Sequence, residues 1–315
     1  MPTPNPQATA YVFPGQGSQF VGMLRELAQA YPAAQAAFTE ADEVLGFPLS
    51  ALCWEGPEAT LTDTVNTQPA LLTASIACLR VLREKLGAFQ PAFMAGHSVG
   101  EISALVAAGS LTFADGLRLV RRRGEVMKAA GERAPGGMAA ILNLDAPMLA
   151  EICAEASAAT GGIVQVANDN CPGQVVISGE GAALEKAMEL AKAKGAKRAM
   201  RLPVSIAAHS PLMHSGVGEL ARAVNALPIT APAVPVISNI TASPLPDADA
   251  IRAELPNQLI TQVRWADSVR YLLTQGVNTF IEVGSKDVLI GLIKRIDANA
   301  TLIAAGTPEG LAKLD

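Results

Sequence analysis

The residue types best suited to chemistry in this sequence lie in residues 96–100, which read G-H-S-V-G and fit the pattern G-x-S-x-G. An apolar segment precedes the pattern and a helix-forming segment follows it, as expected of a serine on a sharp turn between a strand and a helix. Glycines on both sides permit that turn, because side chains there would collide with neighbouring elements. Ser98 is therefore predicted to be a nucleophile at the end of a sheet, with the amide of Val99 directed toward a developing oxyanion.

A serine hydroxyl needs a base at neutral pH, and the sequence offers three histidines. His97 adjoins the serine on the turn, where successive side chains diverge, so packing or hydrogen bonding suits it better than catalysis. His214 falls in a polar, helical stretch and is predicted to be a surface residue. Elimination leaves His209, which follows a strand-like segment, as the base or as a simple neighbour of a helix cap.

The surrounding segments alternate between short apolar strands and amphipathic helices, which predicts a parallel sheet covered by helices. Pro69 is placed in the first turn of its helix, where proline is tolerated. Predicted strands cover 10–13, 91–95, 236–240 and 279–283, and predicted helices cover 23–45, 68–86, 101–108, 265–275 and 288–296.

Between residues 134 and 203 the pattern changes to strand, helix, strand, strand, helix, strand. This βαββαβ order predicts a ferredoxin-like subdomain inserted into a larger α/β domain that comprises 1–133 and 204–315. The predicted strands are 138–142, 162–167, 174–178 and 198–203, and the predicted helices are 146–158 and 181–194.

Composition narrows the class of protein. Half of the 315 residues are hydrophobic and 17% are charged, which is typical of a globular enzyme. A formal charge of -5 argues against nucleic acid as a partner. The four cysteines lie apart, without a C-x-x-C pair, and are predicted to be reduced packing residues, with no metal site. Neither a signal peptide nor a membrane span is predicted, so the expected location is the cytoplasm.

Several motifs together resemble one family, the malonyl-CoA:acyl carrier protein transacylases of bacterial fatty-acid synthesis. The resemblance extends from Ala10 to about Gly306. Its motifs are residues 13–19 (FPGQGSQ), 67–70 (TQPA), 96–101 (GHSVGE), 123–124 (RG), 168–178, 205–213 and 258–265.

The resemblance implies that Ser98 is the nucleophile and His209 the base, with the backbone carbonyl of Gln258 orienting the histidine. It implies that the amides of Gln16 and Val99 form an oxyanion hole. It also implies that Arg123 binds the free carboxylate of a malonyl group, a role that suits a planar, permanently charged guanidinium. Gln68, Asn168 and Asn170 match polar positions around the family's cleft, although the asparagines suit turn and cap hydrogen bonding equally well.

The implied reaction is a ping-pong transfer from malonyl-CoA to the phosphopantetheine thiol of acyl carrier protein, without a metal or redox cofactor. A monomer is expected. The carrier should be acidic, so a basic surface of this chain should receive it. Candidates are Lys192, Lys194, Lys197 and Arg198, unless they form only a solvated charged face.

Three alternatives remain at the level of the sequence. A serine hydrolase would require a buried acid before its histidine, for which Asp169 or Glu180 could be proposed. An acyltransferase of polyketide synthesis or malonate metabolism would share the chemistry and differ in its partner. A non-catalytic carrier-binding module would not need a nucleophile, a base and an arginine together.

Overall fold

The computed structural model describes residues 4–314, which form two β-sheets and the helices that cover them. The strands are β1 (Thr9–Phe13), β2 (Phe93–Gly96), β3 (Gly137–Leu142), β4 (Val164–Cys171), β5 (Gln174–Gly179), β6 (Arg198–Arg201), β7 (Val236–Ile237), β8 (Thr279–Glu282) and β9 (Thr301–Ala304). The helices are α1 (Arg25–Ala30), α2 (Pro32–Leu45), α3 (Leu49–Glu55), α4 (Glu58–Thr62), α5 (Thr64–Leu86), α6 (Val99–Ala107), α7 (Phe113–Arg133), α8 (Ala146–Thr160), α9 (Gly181–Ala193), α10 (His214–Asn225), α11 (Ala248–Asn257), α12 (Trp265–Thr274), α13 (Val288–Ile296) and α14 (Pro308–Ala312).

The first sheet has five parallel strands in the order β7-β2-β1-β8-β9, which confirms the predicted parallel sheet. Every residue of the central strand β1 is buried. Its alternate side chains pack into different clusters, Tyr11 and Phe13 into one and Ala10 and Val12 into another. Helices therefore cover both faces, which explains why this strand is apolar throughout.

The second sheet has four antiparallel strands in the order β4-β5-β3-β6 and carries α8 and α9. Its own core, which includes Ile141, Leu149, Ile177 and Leu184, buries the face that those helices cover. The sheet joins the rest of the chain at Val263, whose backbone bonds to the end of β4 in a parallel bridge.

Two predicted helices differ from the structure. The helix predicted over 23–45 is two helices, because Pro32 starts α2 and the chain is extended at Tyr31. The helix predicted from residue 68 begins at Thr64, where the Asp63 side chain caps it, so Pro69 lies inside the helix and not in its first turn.

The interior proline leaves the carbonyl of Val65 without its usual helical donor. Arg121 of α7 supplies one, since its Nη1 lies 3.3 Å from that oxygen. A partner from a neighbouring helix thus makes the proline tolerable at this position.

Several predicted strands differ from the structure at their ends. The strand predicted over 236–240 ends at Ile237, because the backbone N–H groups of Ser238 and Asn239 bond to the Ser243 carbonyl and the Glu101 carboxyl instead of to a neighbouring strand. The strand predicted over 162–167 extends to Cys171, so Asn168 and Asn170 lie on β4 and not on a turn. The edge strand β9 was not predicted.

All four cysteines are free and buried, which agrees with their predicted packing role. Between residues 4 and 314, no helix has the length and apolar character needed to cross a bilayer.

Candidate active site

Ser98 occupies the turn between β2 and α6, with φ 53° and ψ −112°, a backbone conformation that non-glycine residues rarely adopt. Only glycine fits at the two flanking positions, because a larger side chain would overlap neighbouring backbone atoms. A Cβ on Gly96 would lie 2.0 Å from the carbonyl of Gly100, and a Cβ on Gly100 would lie 2.1 Å from the carbonyl oxygen of Phe13. Close packing of β1, β2 and α6 therefore depends on both glycines.

Three groups form a chain of hydrogen bonds at Ser98. The Ser98 Oγ lies 2.9 Å from Nε2 of His209, and Nδ1 of His209 lies 2.8 Å from the backbone oxygen of Gln258. A carbonyl oxygen only accepts, so the proton of a neutral ring belongs on Nδ1. The lone pair on Nε2 then faces the Ser98 hydroxyl, as a general base requires.

The surroundings of His209 favour its neutral form. Burial and the nearby positive charge of Arg123 lower the pKa of His209 from 6.5 to about 3. At neutral pH the ring is therefore uncharged and able to accept a proton. His209 also has a φ of 59°, and the Gln165 amide donates to its carbonyl at 2.7 Å.

Arg123 of α7 is 2% exposed and directs its guanidinium at the same serine. Its Nη1 donates to Oε1 of Gln68 at 2.8 Å, and its Nη2 donates to Oε1 of Gln258 at 2.8 Å and to Ser98 Oγ at 3.2 Å. Burial lowers the pKa of Arg123 to about 10, so the group stays charged at neutral pH. Its bonding partners are neutral oxygens, and a buried cation of this kind suits an anionic ligand.

A cavity of about 170 Å³ connects these groups. Its apolar wall comes mainly from the second sheet and from the segment that follows β6. Of the predicted site residues, Gln16, Gln68, Ser98, Val99, Arg123, Asn168, Asn170 and His209 line the cavity. Gln258 is fully buried beside it and reaches the site through its hydrogen bonds.

Gln16 reaches the cavity because β1 and β2 are neighbours in the parallel sheet. Phe13 is paired with Gly96, so the loop after β1 lies beside the Ser98 turn. The Gln16 side chain accepts a hydrogen bond from Thr64 at 3.2 Å, and the residue is otherwise exposed. Gln16 therefore lies at the exposed rim of the cavity.

The two asparagines of β4 differ in their contacts. Asn170 Oδ1 lies 2.8 Å from Nε2 of His97, whose ring packs against Trp265 at a centroid distance of 5.8 Å. Asn168 lies where β4 meets Val263. His97 is thus engaged away from Ser98, as predicted, and the exposed His214 starts α10.

Sequence reasoning missed two polar residues at this site. Gln165 of β4 holds the His209 backbone, and Asn239 bonds to the backbone of Ser98. Only a full-length motif comparison could have pointed to them, since each acts across more than 40 residues of chain. In the part of the chain that the structure describes, no group of three or more His, Cys, Asp and Glu side chains could hold a metal ion.

A comparison with known protein families identifies the class of protein to which this chain belongs. Residues 10–300 match the sequence profile described as "Acyl transferase domain". This match covers most of the chain and includes the Ser98 turn, the Arg123 helix and the His209 loop. The chain therefore belongs to the acyltransferase domain family.

Individual proteins of that family are similar to this chain over nearly its full length, and their names are more specific than the family description. The chain is 47% identical over 303 residues to the malonyl CoA-acyl carrier protein transacylase of Escherichia coli strain K12, covering 96% of this chain and 97% of the relative. The solved malonyl CoA-acyl carrier protein transacylase of Coxiella burnetii is 42% identical, with a TM-score of 0.94 over 98% of this chain and 96% of that one. A malonyl-transacylase solved with a type II polyketide acyl-carrier protein is 43% identical, with a TM-score of 0.94 over 97% of this chain and 98% of the other.

Proposed function

We propose that this chain transfers a malonyl group from malonyl-CoA to the phosphopantetheine thiol of acyl carrier protein, through an ester on Ser98, and so supplies fatty-acid synthesis. One observation supports an acyl group with a terminal carboxylate as the substrate. The buried guanidinium of Arg123 lies 3.2 Å from the Ser98 oxygen and bonds otherwise to amide oxygens. An acyl group that ends in a carboxylate can pair with this charge and bring its carbonyl to the serine.

In the first half-reaction, His209 accepts the Ser98 proton at Nε2 while Oγ attacks the thioester carbonyl. The backbone oxygen of Gln258 holds the ring in the required tautomer. The bond from carbon to sulfur then breaks, and coenzyme A leaves as a thiol after receiving the proton from His209.

The Ser98 turn serves as a nucleophile elbow. Val99 is the first residue of α6, so its amide belongs to the positive end of a helix. Together with the amide of Gln16, it is the proposed donor to the oxyanion. In the second half-reaction the carrier thiol, deprotonated by His209, attacks the ester through the same tetrahedral geometry. The bond from carbon to Ser98 Oγ then breaks, and His209 returns the proton to Oγ.

The second sheet with α8 and α9 is assigned as a ferredoxin-like subdomain over 134–203, and the remaining residues are assigned to the large domain. Strand order β4-β5-β3-β6 with two crossing helices supports this assignment. Its strand β4 supplies Asn168 and Asn170 to the cavity as polar wall residues. A monomer in the cytoplasm remains the prediction.

The alternatives have less support. His209 Nδ1 faces a backbone carbonyl where a hydrolase would place a carboxylate. Neither proposed acid is its partner: Glu180 bonds to the Ile163 amide, and Asp169 lies where β4 meets Val263. A polyketide carrier remains a second candidate partner, because a similar malonyl-transacylase was solved with one.

The test is intact mass spectrometry after brief incubation with malonyl-CoA or acetyl-CoA. Wild type should gain a malonyl adduct that Ser98→Ala lacks. Arg123→Ala should lose the malonyl adduct or gain acetyl in its place, because the carboxylate has no partner. Absence of any adduct on wild type, together with rapid hydrolysis of simple esters, would instead favour the hydrolase. Transfer from the loaded enzyme to fatty-acid or polyketide carriers then identifies the partner.

A further inference from the structure

Asn239 is a buried residue in the loop after β7, and its side chain spans the Ser98 turn. Its Oδ1 accepts from the backbone N–H of Ser98 at 2.7 Å, and its Nδ2 donates to the backbone oxygen of Gly96 at 2.7 Å. Asn239 is 1% exposed. One carboxamide thus bridges the nucleophile and the residue two positions before it, from a part of the chain more than 140 residues away.

These two partners require an amide. The Ser98 N–H is a donor and the Gly96 carbonyl is an acceptor, so the side chain between them must both accept and donate. Asparagine meets both needs, whereas aspartate could only accept and would place an oxygen against the Gly96 oxygen. The amide therefore matches the backbone groups that the turn exposes.

The need for such a bridge follows from the backbone of Ser98. Its φ of 53° with ψ of −112° is strained for a residue with a side chain, and such strain persists only where the surroundings impose it. The Asn239 bridge fixes the peptide groups on both sides of His97, directly before the serine. It thereby limits the rotation that would carry Oγ away from His209 and Arg123.

Asn239 is itself held by buried groups. Its backbone N–H donates to Oε2 of Glu101 at 2.7 Å, and its backbone oxygen accepts from the N–H of Arg264 at 2.9 Å. Glu101 is fully buried in the first turn of α6, the helix that Ser98 opens. The adjacent Ser238 bonds to the carboxyl of Glu254 at 2.8 Å. Hydrogen bonds thus link Ser98 to Asn239 and Asn239 to Glu101, and Glu101 belongs to the helix that begins directly after Ser98.

We propose that Asn239 is a positioning residue that fixes the backbone of Ser98 so that its hydroxyl faces His209 and Arg123. Asn239 does not touch the reacting atoms. The kinetic part of its test depends on the proposed malonyl transfer, but the reactivity of Ser98 can be measured without it.

The experiment compares Asn239→Ala and Asn239→Asp with wild type by reaction with phenylmethylsulfonyl fluoride. In this reaction a bond forms between Ser98 Oγ and sulfur, the sulfur–fluorine bond breaks, and His209 takes the proton. The reagent carries no carboxylate, so it does not need Arg123. We expect the second-order rate constant to fall about 100-fold, the effect of misplacing a reacting group by roughly an ångström.

Malonyl transfer supplies a second readout. The kcat should fall by a similar factor, while KM for malonyl-CoA should stay within about three-fold, because a positioning defect acts on chemistry more than on ground-state binding. Asn239 is not a hydrogen-bond partner of Arg123, which bonds to Gln68, Gln258 and Ser98, so its replacement removes no contact of the guanidinium.

Asn66→Ala is the matched control. The Asn66 side chain also bridges two groups, donating to Thr60 and accepting from Arg121, but it does not line the cavity that contains Ser98. It should react with the sulfonyl fluoride as wild type does. A variant at Asn239 that melts earlier but reacts at the wild-type rate when folded would overturn the proposal.

Two further outcomes are decisive. If neither Asn239 variant folds, backbone hydrogen exchange of wild type tests the same bond, and a Ser98 N–H that exchanges as fast as an exposed amide would overturn the proposal.

If wild type reacts with the sulfonyl fluoride at Ser98 but transfers no malonyl group, then the proposed function has failed. The sulfonylation rates still test whether Asn239 positions Ser98.

Discussion

At the scale of single residues, burial and the charge of Arg123 together decide the protonation state of His209. Both are buried beside Ser98, and a second positive charge in that place would be unfavourable. Burial, and the guanidinium that keeps its proton at neutral pH, hold the imidazole in its neutral form. A neutral imidazole does not compete with Arg123 for the substrate carboxylate of the proposed reaction.

The pH dependence of malonyl transfer follows from this arrangement. In the proposed mechanism the active form of His209 is neutral, and its pKa is lowered from 6.5 to about 3, so we expect activity to be lost only when pH falls well below the usual range of histidine. We expect kcat/KM for malonyl-CoA to show no inflection near pH 6.5 across about pH 5 to 8. A decline with a midpoint between about pH 6 and 7 would contradict this expectation.

The same shift affects stability. In the unfolded chain His209 takes up a proton near its ordinary pKa of 6.5, while the folded state resists protonation down to about pH 3. Its contribution to stability is therefore complete above 6.5 and declines as pH falls between those values. Urea unfolding of wild type and His209→Gln at several pH values should show a smaller dependence on pH in the variant.

Arg123→Lys tests the guanidinium itself. Lysine keeps the charge but lacks the planar fork that bonds Gln68, Gln258 and a carboxylate together. Losing a charge-assisted hydrogen bond costs about 1.5–3 kcal/mol, so kcat/KM for malonyl-CoA should fall about 10- to 100-fold. The rate of sulfonylation of Ser98 in the same variant is the control. Full malonyl transfer with lysine would show that charge alone suffices.

At the scale of elements, the site depends on how closely β1, β2 and α6 approach one another. Gly100→Ala would place a Cβ 2.1 Å from the Phe13 oxygen, so the helix or the strand must move. We expect a loss of at least about 3 kcal/mol in the free energy of unfolding, or no folded protein.

Gly291→Ala is the matched control for that change. Gly291 lies inside α13, and a Cβ there meets nothing within 4 Å. The same substitution should therefore stabilise the protein by about 0.5–1 kcal/mol through helix propensity. Urea denaturation of both variants measures the two effects. Equal stabilities would contradict the close approach at Gly100.

At the scale of the whole molecule, the proposed reaction requires a chain with a net charge of -5 to bind a carrier that is expected to be acidic. The second sheet offers an exposed basic group around β6, formed by Lys192, Lys194, Lys197 and Arg198. One member, Lys194, already pairs with Glu155 at 3.4 Å. Strand β6 leads from this basic group to Leu202 and Val204 in the cavity wall.

Charge reversal in Lys197→Glu and Arg198→Glu tests this surface. We expect KM for the carrier to rise several-fold and to depend less on salt, with KM for malonyl-CoA unchanged, because rim charges act mainly on association. Lys313 is exposed and directly follows the last residue of α14. Lys313→Glu therefore serves as the control for a general change in charge. Unchanged carrier kinetics would leave the basic group as a solvated face.

Local sequence determined several features because they depend on neighbours in the chain. The G-x-S-x-G turn follows from glycine spacing between a strand and a helix, and the parallel sheet follows from alternating apolar segments. The parallel sheet, the buried free cysteines and the placement of His97 and His214 were predicted in this way. Arg123 was singled out only by resemblance to a family, since nothing local distinguishes it from the arginines beside it.

Tertiary structure alone decided the features that depend on distant partners. The tolerance of Pro69 inside α5 depends on Arg121 of another helix, and the end of β7 depends on the bond from the Asn239 N–H to Glu101. The pKa of His209 reflects burial and a charge 86 positions away in the sequence, at Arg123. The Asn239 bridge to Ser98 spans 141 residues. Hydrogen bonds and charge act through space, so the order of residues cannot reveal which of them will meet.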